Sequence, residues 1–361
     1  MEIGGLSLIG LLFATATSVT NAVTDVARKK ALEKRDLIAT SFVIKFFAML
    51  TYAVGLGARL FSGGEARIKD SGPVFGFESL NFSPPVAFLI YLSIDVALVS
   101  CATLLYYRAV QVSPLSLCMP FIAFTPVFLI PTGYLLLGEL PSTVKLVGVA
   151  LVVIGSLVMH RQLFAIGWAE PIKAILREPG SRYMLMVAFI FSLTNPLDAR
   201  LVRMSDAFIQ SFAYGSSICL LFGALAWGGR RAPRQAMREV PLWIVLAGVL
   251  EAVANILQFS SHNYIAVVIT ISLKRAGIVL VVLLGWLVFR EREITDKLIA
   301  ATVMVAGALM FYLPMDLDQS LTLAAITLVG MGVALYLTRR RADKIEPATE
   351  VSAPVVTKQE G

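Results

Sequence analysis

Charge is scarce in this chain. Asp, Glu, Lys and Arg make up 15% of its 361 residues and hydrophobic residues 57%, with a mean hydropathy of +0.79. A soluble domain is about a quarter charged and about half apolar. No soluble fold of this length has an interior large enough for so much apolar surface, so the excess must face lipid. Histidine and cysteine are nearly absent. His160 and His262 are the only histidines, and Cys101, Cys118 and Cys219 the only cysteines. Their spacing matches no zinc or redox motif, and each cysteine sits in an apolar run as a small packing residue. No metal and no cofactor is therefore expected. A nucleophile–base pair and a phosphate-cradling Gly loop are also missing, which argues against an enzyme. The N-terminus has no basic segment of the kind that opens a cleaved signal peptide, and its apolar run reads as a first membrane span.

The charge that is present is unevenly placed. Net charge is +7, but the cations lie in short loops between apolar runs, where they read as topology determinants rather than a nucleic-acid face. A helix needs about 20 apolar residues to cross the hydrocarbon core. Eleven stretches meet that length or approach it: 6–27, 37–61, 86–107, 115–137, 144–159, 183–202, 207–227, 242–264, 266–289, 298–313 and 321–338. With the N-terminus outside, twenty-one Lys and Arg fall on the inner side and six on the outer. This bias puts the C-terminus in the cytoplasm. It also calls for the eleventh span, which carries Arg339-Arg340-Arg341 inward. The loop 62–85 is expected outside the membrane as a connector.

Sliding the chain by 152 residues brings residues 134–139 onto 286–291. The register then continues: Val127 falls on Val279, Gly133 on Gly285, Thr143 on Thr295, Lys145 on Lys297 and Gly155 on Gly307. Ser18-Val19-Thr20-Asn21 is echoed by Ser192-Leu193-Thr194-Asn195 in the first helix of each half. Five spans per copy is an odd number, so the copies insert in opposite directions, as in many secondary transporters. The expected fold is an all-α integral membrane protein: a ten-helix core of two inverted five-helix repeats plus an eleventh C-terminal helix. The expected divisions are a first repeat (1–160), a basic cytoplasmic linker (161–181), a second repeat (182–314), the extra transmembrane helix (315–340) and a disordered tail (341–361).

Ionisable groups at membrane depth normally face a cavity or a partner. Glu251, Asn255, Gln258 and His262 share one helical face, and so do Ser18, Asn21 and Asp25. Asp95 lies in the third span beside Ser93. Lys45 and Asp25, nearer span ends, are candidates for snorkelling. Pro114, Pro120, Pro126 and Pro131 crowd the fourth span and Pro196 interrupts the sixth, where bends are expected. The sharpest signal is Lys274-Arg275 in the ninth span. Either Glu251 and Asp95 neutralise these cations in a structural network, or at least one faces water and binds an anionic solute. Asn21, Asn195, Asn255 and Gln258 would supply hydrogen bonds, and Glu251 or Asp95 would titrate in proton-linked transport.

Pro126 followed by residues 135–139 (Leu-Leu-Leu-Gly-Glu), the second copy ending Phe289-Arg290-Glu291, and Gly148 with Gly155 give the chain its kinship. On these residues it resembles the drug/metabolite transporter superfamily, particularly its two-repeat EamA-type members. The resemblance implies a ten-helix core and transport of small organic solutes. The eleventh span and an external N-terminus are departures from it. Ser272-Leu273-Lys274-Arg275 with Ile278-Val279 is also similar to the ninth helix of triose-phosphate and nucleotide-sugar transporters, where the Lys-Arg pair binds phosphate. Their fourth-helix lysine is replaced here by Ile122.

The expected function is thus secondary transport of a small anionic metabolite, with phosphorylated metabolites among the candidates. The alternatives are an exporter of neutral or cationic compounds such as amino acids or drugs, and a lipid-handling accessory membrane subunit. The expected partners are a small-molecule substrate and the lipid bilayer, with a homodimer allowed, in a bacterial inner membrane. A fluorescent protein fused after Gly361 should fluoresce in cells, and alkaline phosphatase fused at the same point should be inactive. The reverse pattern would invert the orientation.

Overall fold

The computed structural model describes residues 2–3, 6–33, 35–63, 67–69, 82–125, 127–128, 143–158, 169–228, 242–265, 267–291, 294–312 and 315–349. A minimal antiparallel hairpin, β1 (Glu2–Ile3) with β2 (Leu6–Ser7), opens the chain. Among the described residues, all the regular structure after it is helical. The first half contains α1 (Leu8–Leu32), α2 (Leu37–Phe61), α3 (Pro84–Val112), α4 (Leu115–Cys118) and α5 (Thr143–Val158), with α4 running into a 3-10 segment, Met119–Phe124. A short α6 (Glu170–Arg177) links to the second half, which has α7 (Pro179–Met204), α8 (Ala207–Gly228), α9 (Leu242–Ser261), α10 (Val267–Phe289) and α11 (Ile294–Tyr312). Then comes α12 (Leu317–Thr349). Among the described residues, α1, α2, α3, α7, α8, α9 and the Leu317–Leu337 part of α12 are long and apolar enough to cross a membrane. At 23 and 19 residues, α10 and α11 are of similar length.

Solvent exposure is inverted relative to a soluble protein. Val54, Leu220 and Leu242 are each 73% exposed, while Asp95 is fully buried and Arg28, Lys45, Glu251 and Arg275 are buried too. This is the arrangement of a multi-pass integral membrane protein, with lipid-facing apolar side chains outside and polar groups within.

Packing between the halves follows a two-fold pattern. Two pairs of equivalent helices meet across it, α5 with α11 and α2 with α8. Two more large interfaces form an exchanged set, α1 on α9 and α3 on α7, in which the first helix of each copy lies against the third of the other. The α5–α11 contact shows the symmetry residue by residue. A Cβ on Gly155 would come within 3.0 Å of the Ala300 oxygen and the Met304 nitrogen, and one on Gly307 would meet the Gly148 oxygen and the Val152 nitrogen. A shift of 152 residues converts the first set of neighbours into the second. The two glycines thus let the backbones approach across the axis, as small residues do between membrane helices.

Local chemistry explains the helix ends. Asp36 caps α2 by accepting from the Ala39 N–H at 2.8 Å, and Pro84 opens α3. Glu178 caps α7 through the Gly180 and Ser181 N–H groups. Lys29 and Lys30 in α1, Arg59 in α2 and Arg203 in α7 occupy last turns, where cations complement the helix dipole.

Several expectations change. The fourth span begins as a single α-turn and tightens to 3-10 geometry at Pro120, which lacks an N–H. Pro126, Pro131 and the motif at 135–139 lie outside the described residues. Pro196 does not interrupt α7, which runs continuously past it. Instead α9 stops at Ser261, so His262 falls in the following turn and the polar stripe ends at Gln258. The last helix does not stop at 338: it continues to Thr349 through Arg339–Lys344, a run of good helix formers. In the 62–85 loop, the Lys69 N–H donates to the Met204 oxygen at 2.6 Å and Ile68 packs beside Leu201 and Phe88.

Gly155→Leu and Gly307→Leu should each lower the melting temperature of the purified protein, by a similar amount because the contacts are equivalent. The cost expected for overpacking is about 1–3 kcal/mol. A large loss for one and none for the other would break the symmetry argument.

Candidate functional site

A large cavity sits between the two halves, with about 1070 Å³ of empty space when the part open to solvent is included. Its wall comes from α1, α2, α3 and the 3-10 segment on one side and from α7, α8, α9 and α10 on the other. Of the residues singled out by sequence, Asn21, Asn195, Glu251, Asn255, Gln258, Lys274 and Arg275 line it. Asp95 does not: it is completely enclosed behind the wall, on the α3–α7 side.

The charged residues at the cavity are organised around Glu251. Its carboxylate accepts from Lys45, from Arg28 Nη2 at 3.1 Å and from the Tyr107 hydroxyl at 2.8 Å. Arg28 also pairs with Asp25, which accepts from the Tyr106 hydroxyl at 2.8 Å. The Arg28 guanidinium lies over both tyrosine rings, 5.0 and 4.9 Å from their centroids. Charge balance is close to complete: two cations, two carboxylates and two phenols. The lattice joins α1, α2 and α3 of the first half to α9 of the second.

Two expectations are corrected by this lattice. Glu251 contacts Lys45 and Arg28 rather than Lys274 and Arg275. Lys45 and Asp25 do not snorkel; both are 4% exposed and hold buried partners. The Lys-Arg pair is engaged elsewhere. Lys274 Nζ donates to Gln258 Oε1 at 2.6 Å, and Arg275 Nη2 to Thr125 Oγ1 at 2.9 Å. Adjacent residues diverge by about 100° on a helix, which sends Lys274 toward α9 and Arg275 toward the 3-10 segment. Asn255 donates to the Tyr52 hydroxyl at 2.7 Å, and Asn21 to its own helix at the Thr17 oxygen, 2.9 Å.

Arg28, Asp198, Tyr106, Tyr107 and Tyr214 also line the cavity and were not anticipated. Arg28 was legible, because it extends the stripe of Ser18, Asn21 and Asp25 by one more step of three. Asp198 stands three residues after Asn195 in the same way. The tyrosines carry no such signal, since they read as part of an apolar run.

At one end of the bundle, Glu291 accepts from the Leu115 and Ser116 N–H groups at 2.8 and 2.9 Å, with Lys29 at 3.4 Å. Burial alone would raise its pKa. The hydrogen bonds from Ser116, the charge of Lys29 and the Leu115 N–H outweigh that and hold it below the ordinary carboxylate value. Arg290 before it has φ 54°, a left-handed conformation that favours glycine. The equivalent position of the first repeat is Gly138. In the second copy, the end of the motif thus marks a turn and a helix cap.

Sequence comparison gives the same two-part division: residues 8–161 and 179–313 both match the EamA-like transporter family. The chain belongs to the EamA-like transporter family. No curated protein matches it. One solved crystal structure is similar over 85% of this chain and 98% of its own, with 16% identity and a TM-score of 0.53, a likeness that concerns the fold alone. In this EamA-like chain, the family assignment and the central cavity agree on a membrane transporter.

Glu251→Ala should destabilise the protein by about 3–5 kcal/mol, because it strands two buried cations. A double-mutant cycle with Lys45→Met should show a coupling above about 1 kcal/mol in denaturation experiments. Additive losses would mean that the two groups do not interact.

Proposed function

We propose that this protein is a secondary transporter of a small organic anion, moved by alternating access between the two repeats. Phosphorylated metabolites are the first class to test. The observation that carries the reading is the position of Lys274 and Arg275 on the cavity wall while the nearest strong anion on α9, Glu251, is committed to Arg28 and Lys45. Four cationic side chains line the cavity against three carboxylates. An anion entering there would gain charge-assisted hydrogen bonds, bidentate in the case of the guanidinium. Asn21, Asn195, Asn255 and Gln258 would orient its neutral part.

Inverted repeats give alternating access a physical basis, since a rocking motion that exchanges the conformations of the two copies exchanges the open side. The excess of Lys and Arg on one side supports a cytoplasmic C-terminus, and the setting proposed is a bacterial inner membrane.

A second reading, export of neutral or cationic compounds, is favoured by Asp198. It lines the same cavity, and its Oδ1 has no hydrogen-bond partner among the described residues.

A thermal-shift panel of phosphorylated, carboxylate and cationic metabolites on the purified protein separates the two. A ligand at 100 times its Kd adds about 2.7 kcal/mol of apparent stability. Anions should stabilise the wild type, and Arg275→Ala should remove that shift and abolish uptake into proteoliposomes while still inserting into membranes. Stabilisation by cations alone would replace the anion reading with the second one, and normal uptake by Arg275→Ala would remove that residue from the site.

A further inference from the structure

Two carboxylates stand apart from the ion lattice. Asp95 on α3 is fully buried, and neither of its oxygens has a hydrogen-bond partner among the described residues. Asp198 stands on α7, which packs against α3: its neighbours Leu197 and Leu201 share an apolar cluster with Leu92 and Val96, the neighbours of Asp95. The Asp198 Oδ1 is buried without a partner as well. The other ionisable groups around the pair can be named. Tyr214 approaches from α8, and Lys274 acts on Asp198 from α10. Arg200 of α7 lies over the Tyr91 ring of α3, 5.0 Å from its centroid. On α1, α2 and α9, the charged groups Asp25, Arg28, Lys45 and Glu251 are engaged with one another.

A fully buried carboxylate with no hydrogen-bond donor among the described residues, and a second carboxylate on the helix packed against its own, is costly to keep charged. One proton removes that cost. We propose that Asp95 and Asp198 form a proton-binding site that ties the movement of the anionic solute to a proton, an inference that rests on the anion reading above. Glu251 is unsuited to this role, because Lys45, Arg28 and Tyr107 already occupy its carboxylate.

The link between the two ligands runs through Lys274. Lys274 and Asp198 line the same cavity, so the ammonium's positive field reaches Asp198. An anion bound to Lys274 weakens that influence, so a proton joins the pair as the solute binds. By reciprocity a protonated pair binds the anion more tightly. Solute and proton then bind and leave together, as in symport.

Infrared spectroscopy of the purified protein tests the site without any solute. The wild type should show a protonated-carboxyl C=O band that falls as pH rises, and Asp95→Asn or Asp198→Asn should lose it. A wild type without such a titrating band, or a band that both variants leave unchanged, overturns the site. Coupling is tested with inorganic phosphate as the probe in weakly buffered detergent solution. Phosphate should stabilise the wild type and trigger proton uptake, and the uptake should vanish in both Asn variants. Stabilisation without proton uptake overturns the coupling. If phosphate gives no stabilisation, the anion reading loses its simplest case, while the infrared titration still decides the proton site.

Discussion

A hydrocarbon bilayer offers a charged side chain no hydrogen bond and no counter-ion. Every ionisable group within this bundle must therefore find its partner inside the protein, and that constraint arranges most of what surrounds the cavity. Glu251 is satisfied by Lys45, Arg28 and Tyr107, and Asp25 by Arg28 and Tyr106. The resulting lattice spans four helices from both repeats. Each partner is needed because any other is buried, so the network holds its members in place more strongly than it adds net stability.

The same constraint separates two kinds of polar residue at the cavity. One kind is used up by structure: Arg28, Lys45, Asp25 and Glu251 neutralise one another. The other kind stands outside that lattice: Lys274 donates to Gln258, and Thr125 is one partner of Arg275. A bound anion could replace the Lys274–Gln258 contact at little cost, whereas drawing Glu251 away would strand two cations. The asymmetry between the repeats has the same origin. The α10 cations have no counterpart at the equivalent first-half position, where Ile122 stands in the 3-10 segment. A two-fold scaffold thus encloses a one-sided site.

Much of this was legible in the amino-acid order. Apolar runs located α2 to the residue and most other helices to within a few. The 152-residue shift anticipated a two-fold relation that Gly155 and Gly307 display directly. Polar stripes at spacings of three and four placed Asn21, Asn195, Asn255 and Gln258 on the cavity wall. The misses have physical causes. Arg28 was assigned to a loop because a cation near a span end looks like a topology signal, yet α1 continues to Leu32 and buries it. Pro196 looked like a breaker, but a helix packed against neighbours tolerates one missing N–H. Glu251 was matched with the wrong cations because nothing in a linear pattern says which helices are adjacent.

Periodicity and hydropathy are local properties, so the sequence alone determined that this chain crosses a membrane many times, in two related halves, with polar faces turned inward. Pairing is not local. Only the tertiary structure decided that α1 lies on α9 and α3 on α7, and hence that Glu251 meets Lys45 and Arg28 while Asp95 and Asp198 are carried on neighbouring helices. In a medium that satisfies no charge, that choice of neighbours determines which groups are spent on holding the fold and which remain for chemistry.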